Sequence, residues 1–332
     1  MLSPKVSIII INLNGKVLLQ KCLESLFKIE YDNFEVILVD NNSKDYTIEF
    51  VMKNYPTVII KKLFENKGFA EPNNIASKMA KGKYLLFLNN DTVVTKNFLK
   101  EMVQELESNS KIAIVQSLLL KSHDEIDSSG DFIDDIGISY SSKKDIKISR
   151  EIFSAKGASM IIRKNIFEKL GGFDEHFFFS FEDVDLSWRA RLLGYKVVVI
   201  PKSIVFHLGG KTVNEIKSSV SFHGIKNQLS MKITNFEFHL AWKVILSFIF
   251  LYGFREFRIW LDYKIKGKTT IKATDYENKI AIKPNFKAII KSLFWILFHF
   301  KYIIKKHRLV NKTRLISTAD LKKQSLISKT IQ

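Results

Sequence analysis

The sequence is poor in the residues that stabilise small secreted proteins and fibres. It has one cysteine, Cys22, together with five prolines and 14 glycines among 332 residues. A single cysteine excludes an internal disulfide and a cysteine-rich zinc site, and it fits a reducing compartment. The low proline and glycine content excludes collagen-like and low-complexity disordered chains. With 46% hydrophobic and 26% charged residues, the chain is predicted to be globular and long enough for one large domain plus an appendage.

Long apolar segments are also missing. Two uncharged apolar runs, Val244–Phe254 and Ser292–Phe300, are both shorter than the roughly 20 residues that a membrane-spanning helix needs. At the other end, Met1–Pro4 leads straight into the apolar Val6–Ile11, so no signal peptide is predicted.

Positive charge is concentrated near the C-terminus. The formal net charge is +18, but residues 1–220 carry 30 basic and 28 acidic side chains, whereas residues 221–332 carry 22 basic and 6 acidic ones. We therefore predict a nearly neutral domain over residues 1–220 and a basic helical extension over residues 221–332.

Short β-branched runs alternate with helix-like stretches through the first 120 residues. The predicted strands are Val6–Ile11, Glu35–Val39, Thr57–Leu63, Tyr84–Leu88 and Ile112–Leu120, and the predicted helices between them are Lys16–Ile29, Lys44–Tyr55, Pro72–Lys81 and Asn97–Ser108. This alternation predicts a mostly parallel sheet with helices on both faces. Ligands bind such sheets beyond the carboxyl ends of the strands, which is where Asp40 and Asp91 fall.

The pattern changes after residue 120. Residues 123–150 are polar and predict a mobile excursion from the sheet. An apolar segment, Ala158–Ile162, follows, and then a helix over Leu186–Leu193 and a strand over Lys196–Ile200 are predicted.

The two apolar runs of the extension are rich in aromatic residues and are flanked by lysine and arginine. This composition is typical of helices that lie in a bilayer interface. Packed core helices with solvated basic faces are the alternative. Nucleic-acid binding is a third possibility, but no recognisable nucleic-acid-binding module is present, so we predict none.

Common phosphate-binding loops are absent. Asn14-Gly15-Lys16 lacks the glycine spacing of a Walker loop, and no Gly-x-Gly-x-x-Gly motif follows the first strand. Cys22 falls on the apolar face of a predicted helix, which disfavours a cysteine nucleophile.

Four polar residues can carry chemistry, and each has a structural alternative. Asp40 can accept a hydrogen bond from a base or ribose, or cap a helix. Asp91 can bind Mg²⁺ or Mn²⁺, or occupy a turn. Asp183 can act as a general base, or favour the start of a helix. His207 can bind a metal, orient another group, or be purely structural.

The order of these motifs resembles glycosyltransferase family 2. The motifs are Val6–Gly15, Glu35–Ser43, Asn66–Ala70 with Asn73-Asn74, and Leu88–Thr92. Gly171–Phe178, Glu182–Leu186 with Arg189, Pro201 and His207 resemble its rhamnosyltransferase-like branch, and the resemblance covers residues 5–210.

The resemblance implies a GT-A fold, a divalent cation (Mg²⁺ or Mn²⁺) and inverting transfer of a sugar from a nucleotide-diphosphate donor to an acceptor hydroxyl. Residues 1–120 would form the nucleotide-sugar half and residues 150–220 the acceptor half. The family's Asp-x-Asp metal motif falls on Asn89-Asn90-Asp91, so only Asp91 keeps a carboxylate. Asp183 matches the catalytic base, and Asp40 matches the aspartate that contacts the nucleobase.

The site residues expected from the resemblance fall into four groups. They are Asp183 for catalysis; Asn12, Asn14, Asp40, Asn42, Asn66, Gly68, Asn74, Asn90 and Asp91 for the donor; Glu182, Arg163 and Arg189 for the acceptor; and Asp91 and His207 for the metal. Surface ion pairing is the alternative for both arginines.

We expect the donor to be dTDP-rhamnose or a UDP-sugar and the acceptor to be a glycan or a polyprenyl-linked saccharide. The basic extension predicts attachment to the anionic cytoplasmic face of the cell membrane. A sugar nucleotidyltransferase would need a glycine-rich basic loop after the first strand, which Asn12–Lys16 does not provide. A catalytically inactive membrane or assembly protein with the same fold is the other alternative, and Asn89 is the feature that favours it.

Overall fold

The computed structural model describes residues 4–209, 217–266 and 286–329. The chain forms two compact units. The first comprises Met1–Ile133, Ser139–Gly209 and Thr313–Ser328, and the second comprises Asp134–Ile138, Gly210–Lys312 and Lys329–Gln332. Residues 267–285 of the predicted extension lie outside the described residues.

The elements are numbered along the whole chain. The strands are β1 (Val6–Asn12), β2 (Phe34–Asp40), β3 (Ile59–Lys62), β4 (Tyr84–Leu88), β5 (Thr92–Val94), β6 (Ile112–Ser122), β7 (Glu125–Ser128), β8 (Asp131–Asp134), β9 (Ser139–Ser141), β10 (Arg150–Glu151), β11 (Ser159–Arg163), β12 (Lys196–His207) and β13 (Ile327–Ser328). The helices are α1 (Lys16–Leu26), α2 (Thr47–Asn54), α3 (Ala70–Met79), α4 (Phe98–Ser108), α5 (Lys164–Lys169), α6 (Glu182–Leu192), α7 (Lys217–Asn235), α8 (Phe238–Lys266), α9 (Phe286–Phe298), α10 (Phe300–Thr313) and α11 (Thr318–Lys323).

The first unit is organised around one large sheet with the strand order β10-β12-β6-β11-β4-β1-β2-β3. β1 pairs in parallel with β2 and β4, β2 with β3, and β6 with β12, whereas β11 runs antiparallel between β4 and β6. The predicted mostly parallel sheet is therefore confirmed. Its parallel strands end at one edge, which brings the ends of β1, β2 and β4 together.

Both faces of this sheet are covered by helices, as its apolar strands require. Ile8 and Ile10 lie in one core cluster with Leu23 of α1 and Met102 of α4. Ile9 points the other way and belongs to a second cluster, which includes residues of α3, α5 and α6. The alternation of side chains along β1 thus fills two cores from one continuous apolar run.

The structure differs most from the sequence-based predictions after residue 120. α6 begins at Glu182 rather than at Leu186, so the acidic pair lies in its first turn. β12 continues to His207, and a register shift between Ile200 and Ile204 accommodates Pro201. Residues 123–151 contain four short strands where an excursion is predicted, and side chains of this stretch bond to one another; Arg150, for example, donates to Ser129 and Ser142.

The second unit is helical. Its apolar cluster brings together Ile225 and Leu229 of α7, Ile245 and Phe248 of α8, and Ala288 of α9. Within the described ranges, no helix combines the length and the apolar character needed to cross a membrane.

Candidate active site

The side chain of Asn12, at the end of β1, forms hydrogen bonds with residues that follow β2 and β4 at the carboxyl edge of the sheet. Asn12 lies opposite Asp40 in the β1–β2 register. Its amide nitrogen lies 3.2 Å from the hydroxyls of Ser43 and Thr47, and its oxygen accepts a hydrogen bond of 2.6 Å from Asn90. The predicted donor residues Asn12, Asp40 and Asn90 are therefore neighbours.

Gly15 explains why a glycine follows β1. A Cβ at this position would overlap the side chains of Asn90 and Asn12. The backbone of the β1–α1 turn thus passes close to the amides at the strand ends, which a larger residue would push apart.

Asp40 keeps one acceptor atom unused. It is fully buried, and its Oδ2 accepts the backbone N–H of Ser43 at 3.0 Å. Its Oδ1 is also buried and has no hydrogen-bond partner among the described residues. A buried acceptor without a partner is costly, so this atom is well suited to receive an N–H or O–H from a ligand.

Asn14 and Asn42 serve the turns around Asp40. Both have positive φ, a conformation that asparagine tolerates well. The side-chain oxygen of Asn14 accepts the backbone N–H of Lys44, and that of Asn42 accepts the Lys44 ammonium, both at 2.8 Å. Both residues lie beside the predicted donor site, but these oxygens already accept hydrogen bonds.

A second asparagine network joins the loop after β3 to the loop before α6. Asn41, which the sequence-based site omits, donates to the side chain of Asn66 at 2.9 Å and to the carbonyl of Gly68 at 2.7 Å. The backbone N–H of Phe69 donates to the carbonyl of Phe178 at 2.6 Å. Asn66 and Gly68 thus help to anchor the segment that leads into α6.

Asn74 anchors the same segment rather than facing a ligand. Its amide donates to the carbonyl of Phe173 at 2.8 Å and to Glu175 at 3.1 Å, and its oxygen accepts the N–H of Phe173. The expected donor contact of Asn74 is therefore replaced by a structural role, because both ends of its amide are used inside the protein.

Asp91, His207 and Asp127 form a compact cluster. The pairing of β12 with β5 places His207 opposite Thr92. His207 Nε2 lies 3.5 Å from Asp91 Oδ1, and His207 Nδ1 lies 2.9 Å from Asp127 Oδ2. The predicted metal residues Asp91 and His207 are thus adjacent, whereas Asp127 was missed because it lies in the polar stretch that the sequence predicts to be mobile.

The electrostatics of this cluster favour a charged imidazole. Burial alone would lower the pKa of His207, but the hydrogen bond to Asp127 and the carboxylate of Asp91 outweigh burial and raise this pKa to about 9. Asp91 Oδ1 is buried and makes no hydrogen bond within the described part of the chain.

Glu182 and Asp183 begin α6, and their carboxyl groups differ in their partners. Asp183 Oδ2 accepts the N–H of Gly157 and its Oδ1 accepts the N–H of Val184, both at 2.8 Å. Glu182 Oε2 is buried without a hydrogen-bond partner among the described residues.

The carboxyl pKa values at the start of α6 are both perturbed. Burial raises the pKa of Glu182, and the charge of Asp183 raises it further. Burial also raises the pKa of Asp183, although the N–H groups of Gly157 and Val184 partly offset this effect. Paired carboxyl groups with raised pKa values are typical of acid–base sites.

The turn just before β11 connects Asp183 to the segment that carries Asp91. Gly157 donates to Asp183, and the carbonyl of the next residue, Ala158, accepts the N–H of Asn89 at 3.1 Å. Asn89 stands two residues before Asp91. The turn at Gly157 and Ala158 therefore links Asp183 to the segment that carries Asp91.

The two predicted acceptor-binding arginines are used elsewhere. Arg163 pairs with Tyr84 in the β11–β4 register, at the opposite edge of the sheet, and donates to the carbonyls of Ile112 and Leu106. Arg189 is buried and forms an ion pair of 2.8 Å with Asp185. We therefore remove both from the candidate site, since their guanidinium groups support α4 and α6.

Comparisons with known proteins are consistent with this geometry. The family model described as "Glycosyl transferase family 2" matches residues 7–171. The chain is 32% identical over 221 residues to the "O-antigen biosynthesis protein RfbC" of Myxococcus xanthus, which is 62% of this chain and 17% of that protein. It is 24% identical over 204 residues to the "Poly-beta-1,6-N-acetyl-D-glucosamine synthase" of Staphylococcus epidermidis, which is 60% of this chain and 49% of the synthase. The chain thus spans half or less of both relatives.

Solved structures share the fold. S. aureus TarS 1–349 in complex with UDP-GlcNAc aligns with a TM-score of 0.56 and 17% identity, covering 97% of this chain and 92% of that one. GalNAc-T7 with UDP, GalNAc and Mn²⁺ aligns with a TM-score of 0.59 and 15% identity, covering 92% of this chain and 58% of that one. These neighbours are GT-A transferases, which confirms the predicted fold class.

Proposed function

The chain belongs to glycosyl transferase family 2, and from this membership we propose that it performs inverting transfer of a sugar from a nucleotide-diphosphate donor to an acceptor hydroxyl. The observation that carries the proposal is the turn at the start of β11, which contacts both Asp183 and the strand that leads to Asp91. A general base and a diphosphate site close to one another are what a single displacement at an anomeric carbon requires.

In this proposal, the ends of β1 and β2 bind the nucleoside part of the donor. The unused Oδ1 of Asp40 supports this role, because it is available to accept an N–H of the base. The network from Asn12 to Asn90 fixes the neighbouring ends of β1 and β4.

Asp91 and His207 are the residues that would hold a divalent cation, Mg²⁺ or Mn²⁺. The donor set fits once His207 gives up its Nε2 proton to make room for the metal: a buried carboxylate oxygen that makes no hydrogen bond among the described residues lies beside that imidazole nitrogen, and Asp127 orients the other ring nitrogen. Because Asn89 replaces the first carboxylate of the family motif, the donor diphosphate would supply more of the ligands. A bound cation would offset the negative charge of the leaving nucleoside diphosphate.

We assign the general-base role to Asp183. Its two N–H partners orient the carboxylate, and burial raises its pKa, which strengthens it as a base. Asp183 would remove the proton of the acceptor hydroxyl as the sugar is transferred. Glu182, whose Oε2 has no hydrogen-bond partner among the described residues, would bind the acceptor beside it.

The donor, the acceptor and the location complete the proposal. A UDP-sugar or dTDP-rhamnose is proposed as the donor, and the likeness to TarS, whose solved complex contains UDP-GlcNAc, supports the first of these. A glycan or polyprenyl-linked saccharide is proposed as the acceptor, in keeping with the names of the RfbC and synthase relatives. We propose that transfer occurs at the cytoplasmic face of the cell membrane, supported by the 22 basic and 6 acidic residues of positions 221–332.

A donor screen tests the proposal. The full chain is incubated with a panel of nucleotide sugars and Mg²⁺ or Mn²⁺, and nucleoside diphosphate release and glycosylated products are followed by mass spectrometry. We expect release from one donor class and loss of that release when the metal is chelated. Binding of a nucleotide sugar without any release or transfer across the panel would instead favour the inactive form of the fold.

A further inference from the structure

The helix α8 has two apolar faces, and the described residues of the chain cover only one of them. Ala241, Val244, Ile245, Phe248 and Ile259 are buried on one side. The other side is exposed: Leu246 is 67% exposed, Phe250 72% and Ile265 70%. At about 100° per residue, the exposed side lies opposite the buried one.

The exposed side forms a continuous stripe. Its members are Phe238, Trp242, Leu246, Phe250, Phe254, Phe257, Trp260, Leu261 and Ile265, all of them exposed. They recur every three or four residues over a length of about 40 Å. We call this set the α8 stripe. Aromatic side chains each carry about 150–250 Å² of surface, so the stripe exceeds the few hundred Å² of apolar patch that monomeric proteins usually expose.

α9 repeats the arrangement on a smaller scale. Phe286, Ile290, Leu293, Phe294, Leu297 and Phe298 are exposed, whereas Ala288 and Ser292 on the opposite side are buried. The second unit therefore presents apolar surface from two helices that both pack on α7.

Charge identifies the surface that these helices fit. Lys243, Arg258 and Lys264 are exposed on α8 beside the stripe. The sequence of Phe286–Thr313, which forms α9 and α10, contains seven lysines and arginines and no acidic residue. A second copy of this chain would bring like charges together, whereas an anionic lipid surface would neutralise them.

We propose that the α8 stripe and the exposed face of α9 insert into the headgroup region of an anionic bilayer, with the flanking lysines and arginines on the lipid phosphates. Aromatic and aliphatic side chains interleaved with basic ones are the composition that interfacial helices use. This proposal deepens the membrane location given above and is independent of the transferase activity, because binding is measured without a donor.

Vesicle co-sedimentation tests the proposal with the full chain. The vesicles contain phosphatidylcholine with one third phosphatidylglycerol, or phosphatidylcholine alone. We expect binding to the anionic vesicles to be at least about tenfold tighter than to the neutral ones and to weaken as salt is raised. Absence of binding to the anionic vesicles would overturn the proposal.

A double variant separates the stripe from net charge. Leu246→Glu/Phe250→Glu is expected to weaken vesicle binding at least about tenfold, because it places carboxylates in the apolar stripe. Val17→Glu/Met52→Glu is the matched control: it makes the same change in charge at residues that are 69% and 64% exposed in the first unit. Equal binding of both variants would show that the stripe does not enter the lipid.

Two further measurements keep the test decisive. Circular dichroism establishes whether the variants fold. If they do not, insertion is tested by the tryptophan fluorescence of the unmodified chain. Trp242 and Trp260 lie in the stripe, so we expect a blue shift on vesicle addition and quenching by brominated lipid; an unchanged spectrum would contradict insertion. Light scattering tests whether a second copy of the chain covers the stripe instead. If the unmodified chain is a dimer, Leu246→Glu/Phe250→Glu is a monomer and neither form binds vesicles, the stripe is a dimer interface and the proposal is wrong.

Discussion

Two opposing effects act on the pKa of Asp183: burial raises it and hydrogen bonds from the backbone lower it. Burial raises its pKa, which makes it a stronger base, while two backbone N–H groups keep its orientation fixed. Neighbouring Glu182 has no such partner on Oε2 among the described residues, and burial together with the charge of Asp183 raises its pKa well above the ordinary value. The two adjacent acids therefore differ in their hydrogen-bond partners and in the causes that raise their pKa values.

Replacing the base tests this assignment. We expect Asp183→Asn to lower turnover by about 10²–10⁴-fold, because the amide cannot accept the hydroxyl proton. Donor binding, measured by calorimetry, is expected to persist because Asp40 and Asp91 are untouched. Asp32→Asn, the same change at an exposed loop position, serves as the control. If Asp183→Asn turns over as fast as the Asp32→Asn control, Asp183 is not the general base.

The pH dependence of turnover follows from the raised pKa of Asp183. The base works only when ionised, so turnover falls as the pH drops through this pKa. Because burial raises the pKa from its ordinary value near 4, the decline begins at a higher pH than an exposed aspartate would give. A pH profile of kcat with a saturating donor measures it, and a rate that stays constant down to pH values near 4 would contradict the raised pKa.

Asp127 is predicted to act through His207. Its carboxylate holds His207 Nδ1 at 2.9 Å and so directs Nε2 towards Asp91. We expect Asp127→Asn to weaken Mn²⁺-dependent donor binding by about 10–100-fold, as partners behind metal-ligating histidines generally do. Donor affinity titrated against Mn²⁺ measures the effect. If Asp127→Asn leaves the metal dependence intact while Asp91→Asn removes it, Asp127 has no such role.

At the scale of elements, the loop before α6 depends on its contact with the β3–α3 turn. Gly68 has φ +76°, and a Cβ there would overlap the carbonyl oxygen of Phe178. The same carbonyl accepts the N–H of Phe69. Since this loop leads directly into Glu182 and Asp183, a shift at Gly68 would displace the acidic pair.

Gly68→Ala and Gly171→Ala distinguish overlap from backbone strain. Gly171 has a similar φ of +78° but no atom within 4 Å of an added Cβ. Each substitution costs about 1–2 kcal/mol for the left-handed conformation. We expect Gly68→Ala to lower the free energy of unfolding by a larger amount than Gly171→Ala and to reduce turnover as well. Equal losses of unfolding free energy for the two variants, measured with urea, would mean that the loop before α6 accommodates the added Cβ at position 68 without a further loss of stability.

The sequence predicts the carboxyl edge of the sheet well, because buried strands and the polar residues after them have a clear pattern. It does not predict how amides are used: Asn74 matches a donor motif, yet its hydrogen bonds hold Phe173 and Glu175. Asp127 lies in a stretch without periodicity, and only its approach to His207 reveals it. Roles that depend on contacts distant in sequence are therefore the ones that the pattern cannot supply.

At the scale of the whole molecule, the last described segment of the chain belongs to the first compact unit. Thr313–Ser328 follows the helices of the second unit, yet the N–H groups of Leu315 and Ile316 both donate to the carbonyl of Leu192 at the end of α6. β13 joins β8 and β9 in a small sheet. The basic composition of residues 221–332 does not predict that Thr313–Ser328 packs in the first unit, because net charge does not indicate which apolar residues are buried.

Two leucines of this segment test whether it stabilises the first unit. Leu321 is 1% exposed and Leu315 is 75% exposed. We expect Leu321→Ala to cost about 2–5 kcal/mol of unfolding free energy, because it leaves a cavity where the segment is buried. Leu315→Ala removes the same atoms from a surface position and should change stability by no more than about 0.5 kcal/mol. Urea unfolding followed by the fluorescence of Trp188, which is buried in the first unit, reports the difference when the other tryptophans are replaced by phenylalanine. If both variants unfold at the same urea concentration, the segment does not stabilise the first unit.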